Sequence, residues 1–139
     1  MVDTPKCDQM LSNLRRYVTE LSRLAETERE AFLADMDKIG NAKYHFVVAI
    51  ECCIDIANHT ISSEGLRFPN NNADSFLVLV ENGILDERLS ANYIAMAKFR
   101  NRLVHLYWDV DDQQVYDCLQ NSLGDLEAFI RSVASLLKP

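Results

Sequence analysis

Arg100, His105 and Tyr107 stand in the order R-x4-H-x-Y within the octapeptide Arg100-Asn-Arg-Leu-Val-His105-Leu-Tyr107. A guanidinium grips phosphate oxygens in pairs, and an imidazole is the side chain that changes charge between about pH 5 and 8. The setting is unusual in charge. The chain holds 21 acidic residues against 14 Lys and Arg, net −7. Yet residues 88–108 contain Arg88, Lys98, Arg100 and Arg102 without one Asp or Glu. A cationic stretch with a titratable ring inside an acidic protein points to a site for phosphate chemistry.

Two other constellations compete with it. Glu51, Asp55 and His59 follow one another at i+4 spacing and could line up as metal ligands, but no H-E-x-x-H accompanies them and His45 falls elsewhere on the same helix. Cys52 and Cys53 could act as nucleophiles, but an apolar run around them would raise their pKa and favours a packing role. No metal site and no cofactor is expected.

The elements that must position these residues are helical. With 139 residues, four Gly and three Pro, the chain reads as one domain, 1–139, built from long helices. Its acidity argues against a protein that coats nucleic acid, and leaves room for a small basic cleft. Four cysteines (Cys7, Cys52, Cys53, Cys118) form no CxxC pair. With no signal peptide in view, they suggest a reducing, cytoplasmic location. No apolar run is read as approaching the roughly 20 residues that span a bilayer.

Met10, Leu11, Leu14, Tyr17, Val18, Leu21 and Leu24 recur at helical spacing. Thr27-x-x-Glu30 reads as a capping box opening a short helix to about residue 38, with a break or bend at Gly40-Asn41. Residues 42–62 form a long helix, 63–72 a loop, and 73–81 a short helix ending at Asn82-Gly83. Residues 86–107 carry the motif. Asp109-Val-Asp-Asp breaks that helix, and Asp111-x-x-Gln114 caps one last helix to Leu137. The expected fold is all-α, an up-and-down bundle of four to five helices.

On a wheel at roughly 100° per residue, Tyr93, Met96, Ala97, Phe99, Leu103 and Val104 form an apolar stripe. Arg100 and Tyr107 fall inside it at i, i+7, whereas Asn101 and His105 share the polar edge with Lys98. A guanidinium on a core stripe needs a carboxylate or a wet cleft, and Asp55 or Glu51 could neutralise it across the bundle. Arg100 and His105 lie about 140° apart on an ideal helix, so they do not converge unaided. The reach of the Arg side chain, a distortion at the helix end before Trp108, or a second copy across a twofold axis would join them.

The segment R-N-R-L-V-H-L-Y-W-D-V-D, with the helix I-E-C-C-I-D-I-A-N-H and N-G-I-L-D-E-R-L before it, resembles the HepT-type toxins of the HEPN superfamily. The similarity runs over residues 43–137 and more loosely over the first helix. What the resemblance implies is a homodimeric HEPN-like bundle with a composite cleft where two motif helices meet. It further implies metal-independent ribonuclease activity, with Arg100, Asn101 and His105 as catalytic residues. A minimal nucleotidyltransferase antitoxin, MntA, is the implied partner, adding AMP to Tyr107 and so silencing the toxin. In such chemistry the ribose 2′-OH attacks the adjacent phosphate. His105 would move protons, Arg100 would stabilise the charge that develops, and Arg102 and Lys98 would bind RNA. Phosphates on Tyr107 would lie against Arg100 and Arg102. The competing expectation is a non-catalytic module that docks the nucleotidyltransferase and presents Tyr107. A third is a purely structural bundle.

Overall fold

Eleven buried side chains, from Ile39 to Ile61, line one helix of 29 residues, Met36–Glu64 (α3). It is the spine of a computed structural model that describes residues 4–137. Before it come Thr4–Ala25 (α1) and the short Arg29–Leu33 (α2); after it come Asn72–Glu81 (α4), Ser90–His105 (α5), Asp112–Asn121 (α6) and Leu123–Leu136 (α7). Single 3-10 turns at Glu87–Leu89 and Tyr107–Asp109 flank α5. The described residues contain no strand, so the architecture is all-α.

The start of α3 departs from expectation. Thr27 does not open a helix; Glu28 caps α2, and Asp35 caps α3 by accepting from the N–H groups of Asp37 and Lys38 at 3.0 and 3.2 Å. The helix then runs through Gly40-Asn41 without a break. A helical glycine costs only about 1 kcal/mol, and Ile39 and Ala42 beside it are buried, which offsets that cost. The helix ends where Gly65 takes the left-handed conformation (φ 64°), and the next N–H, that of Leu66, closes onto Ile61 O at 2.9 Å.

By length and composition alone α3 could cross a bilayer. It is instead a core helix: 56% of its most apolar window is buried by its neighbours. It packs against α1, α4 and α5. Phe76, Tyr93 and Phe129 fill the centre, with the Phe76 and Tyr93 rings stacked at 5.6 Å.

The expected single C-terminal helix is two. Asp111 caps α6 as anticipated, but the chain turns at Ser122 and restarts as α7. The turn lets both halves touch the bundle. Tyr116 donates to Thr27 O at 2.9 Å, Gln120 donates to Ala25 O at 2.8 Å, and Lys43 pairs with Asp112 at 3.2 Å. Between α3 and α4, Arg67 grips Asp74 with two bonds of 2.8 Å and also pairs with Glu81, clamping the loop to α4.

Candidate functional site

Tyr93, Met96, Ala97 and Leu103 seat α5 in the core, and this seating aims its last two turns. Arg100 leaves the stripe toward α3, where its side chain is 19% exposed. Nη2 lies 2.7 Å and Nε 3.3 Å from Glu51 Oε1. Nη1 donates to Asn101 Oδ1 at 3.0 Å. Of the two carboxylates proposed by sequence, Glu51 is therefore the direct partner of Arg100, and Asp55 is not. Asp55 stands one turn further along α3. Partial desolvation and the neighbouring Glu51 push its carboxyl above the ordinary range, while Arg100 pulls it back.

This pairing constrains what Arg100 can do. A guanidinium has five N–H groups. Glu51 and Asn101 take three, one from each nitrogen, leaving one on Nη1 and one on Nη2. Those two stay free for a further acceptor such as a phosphate oxygen. Asn101 spends its carbonyl on Arg100 and keeps its amide N–H groups for another acceptor.

His105 closes α5, and both it and Asn101 are exposed. No hydrogen bond joins His105 to Arg100 among the described residues. The structure thus gathers Arg100, Asn101 and Glu51, and sets His105 one turn beyond Asn101 on the exposed edge.

Tyr107 corrects the wheel. Leu106 leaves helical geometry (φ −136°, ψ 40°) once its N–H has bonded Arg102 O at 2.8 Å, so Tyr107 lies outside α5 in the following 3-10 turn. It is 62% exposed, and does not stack over Arg100 on the core stripe. Val104 is exposed too, because beyond Leu103 the helix has run off the core. Arg102 reaches ahead to hold this turn, its Nη2 donating to Asp109 O at 3.1 Å. Tyr107 and Trp108 meet edge to face at 5.6 Å, and Val110, 5% exposed, returns the chain to the core.

On the other flank of α5 lies a groove of about 560 Å³ between α3, α5, α6 and α7. Lys98 and Arg102 stand on it, with Phe46, Met96 and Phe99 as apolar lining and Asp125 as an acid among them. Sequence reading missed this groove. Its walls come from four helices, and the bond that fixes Asp125, from Asn92 Nδ2 at 2.9 Å, spans 33 positions.

Among the described residues no three His, Cys, Asp or Glu side chains gather as a metal-holding group. The row Glu51, Asp55 and His59 is a polar face whose first member is committed to Arg100. Burial pushes the Cys52 thiol up to about 11 and the fully enclosed Cys53 well above its usual range, opposite to what a thiolate nucleophile needs.

Comparison with known proteins identifies the family. The profile of the family described as ribonuclease HepT-like matches residues 14–133. The chain is 39% identical over 80 residues to the mRNA nuclease HepT of Shewanella oneidensis, an alignment covering 58% of this chain and 60% of that protein. Over 127 residues it is 24% identical to the tRNA nuclease HepT of Aphanizomenon flos-aquae, covering 91% of this chain and 86% of the other. Its fold superposes with a TM-score of 0.86 on the tri-AMPylated HEPN toxin of Shewanella oneidensis solved in complex with MNT antitoxin, at 27% identity over 97% of this chain and 99% of that one.

Proposed function

The chain belongs to the ribonuclease HepT-like family, and from that premise we propose that it is the toxin of a toxin–antitoxin pair, cleaving RNA without a metal. Residues 1–139 act as one HEPN-like domain, paired as a homodimer in the cytoplasm. The observation that carries the reading is the held Arg100. Glu51 and Asn101 fix its guanidinium at the edge of the bundle while two N–H groups stay available for a phosphate. Preorganised donors of this kind stabilise charge that develops during phosphoryl transfer.

In the reaction the ribose 2′-oxygen attacks the adjacent phosphorus, and the bond to the 5′-oxygen breaks. His105 takes the proton from the 2′-OH or delivers one to the leaving oxygen, and the products carry a 2′,3′-cyclic phosphate and a 5′-hydroxyl. Because His105 makes no hydrogen bond to Arg100 and lies about 140° from it round an ideal helix, a twofold partner completes the pair. Asn101 donates to the phosphate, and Lys98 and Arg102 bind the strand.

Regulation falls to Tyr107. Its hydroxyl attacks the α-phosphorus of ATP on a cognate MntA-like nucleotidyltransferase; pyrophosphate leaves and AMP remains on the ring. The exposure of Tyr107 on a short turn supports this role, as does the AMPylated state of the superposed toxin. The exposed Val104, Leu106 and Trp108 around it favour a second reading, in which the chain only docks the nucleotidyltransferase and presents Tyr107.

One experiment separates the two. RNA is incubated with the chain in chelator, alongside Arg100→Ala and His105→Ala. The ribonuclease reading expects cyclic-phosphate fragments from the parent chain and none from either variant. Absence of cleavage, with Tyr107 still gaining AMP mass in both variants, leaves the docking module instead.

A further inference from the structure

The groove beside α5 has the makings of a base-binding subsite. Its volume, about 560 Å³, lies within the roughly 300–1,000 Å³ typical of small-ligand pockets. Phe99 and Met96 give it an apolar floor, and Phe99 is braced edge to face on Phe46 at 5.3 Å. Asp125 offers an acceptor, held in place by Asn92 of α5. The rim carries Lys98 and Arg102, both from the stretch of chain without acids. An aromatic floor, one oriented acceptor and two cations are the elements by which proteins hold an unstacked base of single-stranded RNA. The subsite also adjoins the cleavage edge: Arg102 precedes His105 by three residues, about 4.5 Å along the axis of α5.

Resting on the ribonuclease reading above, we propose that this groove receives one unstacked base of the RNA strand, guanine before the others. Asp125 accepts from guanine N1–H and N2–H, while Lys98 and Arg102 hold the adjoining phosphates. The selectivity follows from donor and acceptor counting. An ionised carboxylate only accepts, at about four lone-pair sites, and Asn92 fills one of them. Guanine is the base whose pairing edge sets two N–H donors side by side; uracil presents one N–H between two carbonyls.

Cys118 lies in the same groove and reports on its occupancy. The full-length chain carrying His105→Ala, which keeps the RNA intact, is alkylated slowly with iodoacetamide at mildly alkaline pH. The reaction is run alone, with hexauridine, and with the same strand bearing one guanine. Labelling of Cys118 is read by peptide mass, with added glutathione as the control for reagent consumption, and affinities by fluorescence anisotropy. The guanine strand is expected to slow labelling of Cys118 severalfold without slowing that of glutathione, and to bind about tenfold more tightly than hexauridine. Asp125→Asn should erase that preference, and Lys98→Ala should weaken both strands alike. A bound strand that leaves Cys118 unprotected, equal affinity for the two strands, or a preference that survives Asp125→Asn overturns the proposal. If Cys118 stays unprotected while the chain with native His105 cleaves RNA, the groove assignment falls and the nuclease reading stands. If the strand neither binds nor is cut, both fall.

Discussion

Glu51 Oε1 accepts two bonds from Arg100, at 2.7 Å from Nη2 and 3.3 Å from Nε, across the seam between α3 and α5. The guanidinium side chain is 19% exposed and the carboxylate 41%, so the pair is half sheltered. A pair so exposed contributes little to stability, about 1 kcal/mol or less. Its larger effect is on orientation, since it sets which N–H groups of Arg100 face outward.

Glu51→Ala is therefore expected to lower kcat for RNA cleavage by about tenfold to a hundredfold, the cost of letting a catalytic group drift by an ångström. Thermal stability should fall only modestly. Glu51→Gln keeps an acceptor oxygen and should recover part of the loss. Unchanged kcat in Glu51→Ala would reduce the pair to a surface contact.

Asp55 gives a pH-dependent test. Its folded-state pKa is raised by desolvation and by Glu51, so the folded chain holds that proton more tightly than the unfolded chain. The resulting stability is complete below the unfolded carboxylate value, near pH 4, and is lost as pH rises through the raised folded value. Asp55→Asn should accordingly raise Tm at pH 7 and change it little at pH 3.5. A lower Tm at pH 7 would show that Asp55 is stabilised by a partner.

Arg102 holds the turn that carries Tyr107 through its bond to Asp109 O at 3.1 Å. Arg102→Ala should leave the core intact while amide exchange at 107–110 quickens by about fivefold, the loss of a roughly 1 kcal/mol hydrogen bond. Exchange at Leu103, inside α5, should not change. If the turn exchanges as before, Val110 alone anchors it.

The Arg67 clamp predicts an acid-sensitive loop. Arg67 and the N–H of Asn70 hold the Asp74 carboxyl down to about 2, and Arg67 also lowers Glu81. Depressed acids stabilise the fold above their unfolded values, and that contribution fades as pH falls from about 4 toward 2. Proteolysis within residues 65–71 by an acid-active protease should quicken over that interval. Arg67→Ala should be cut readily at every pH. Equal cutting of parent and variant at pH 5 would mean that the clamp does not restrain the loop.

Much of this was legible from local pattern. The apolar recurrence of α1, α3 and α5 marks them as helices, and Asp111 and Asn82-Gly83 mark ends that the structure retains. The break at Gly40-Asn41 was misjudged because burial on both sides outweighs one glycine. The end of α5 was misplaced by about two residues, because no Gly or Pro stands at 106. What stops the helix is the loss of core contact beyond Leu103 and the hold of Arg102 on a carbonyl seven residues on.

Composition, helical class and the cluster of Arg100, Asn101, His105 and Tyr107 were determined by the amino-acid sequence alone, since the first is a sum over residues, the second follows from apolar spacing of three and four, and the third spans eight consecutive positions. The tertiary structure decided which carboxylate meets Arg100. Glu51 and Asp55 sit on one face of α3, one turn apart, and only the register of α5 against α3 selects between them. It likewise decided that Tyr107 stands exposed beyond the helix, and that Asp125 and Phe99 line one groove. Those relations depend on how helices distant in sequence pack together, and no local spacing encodes that.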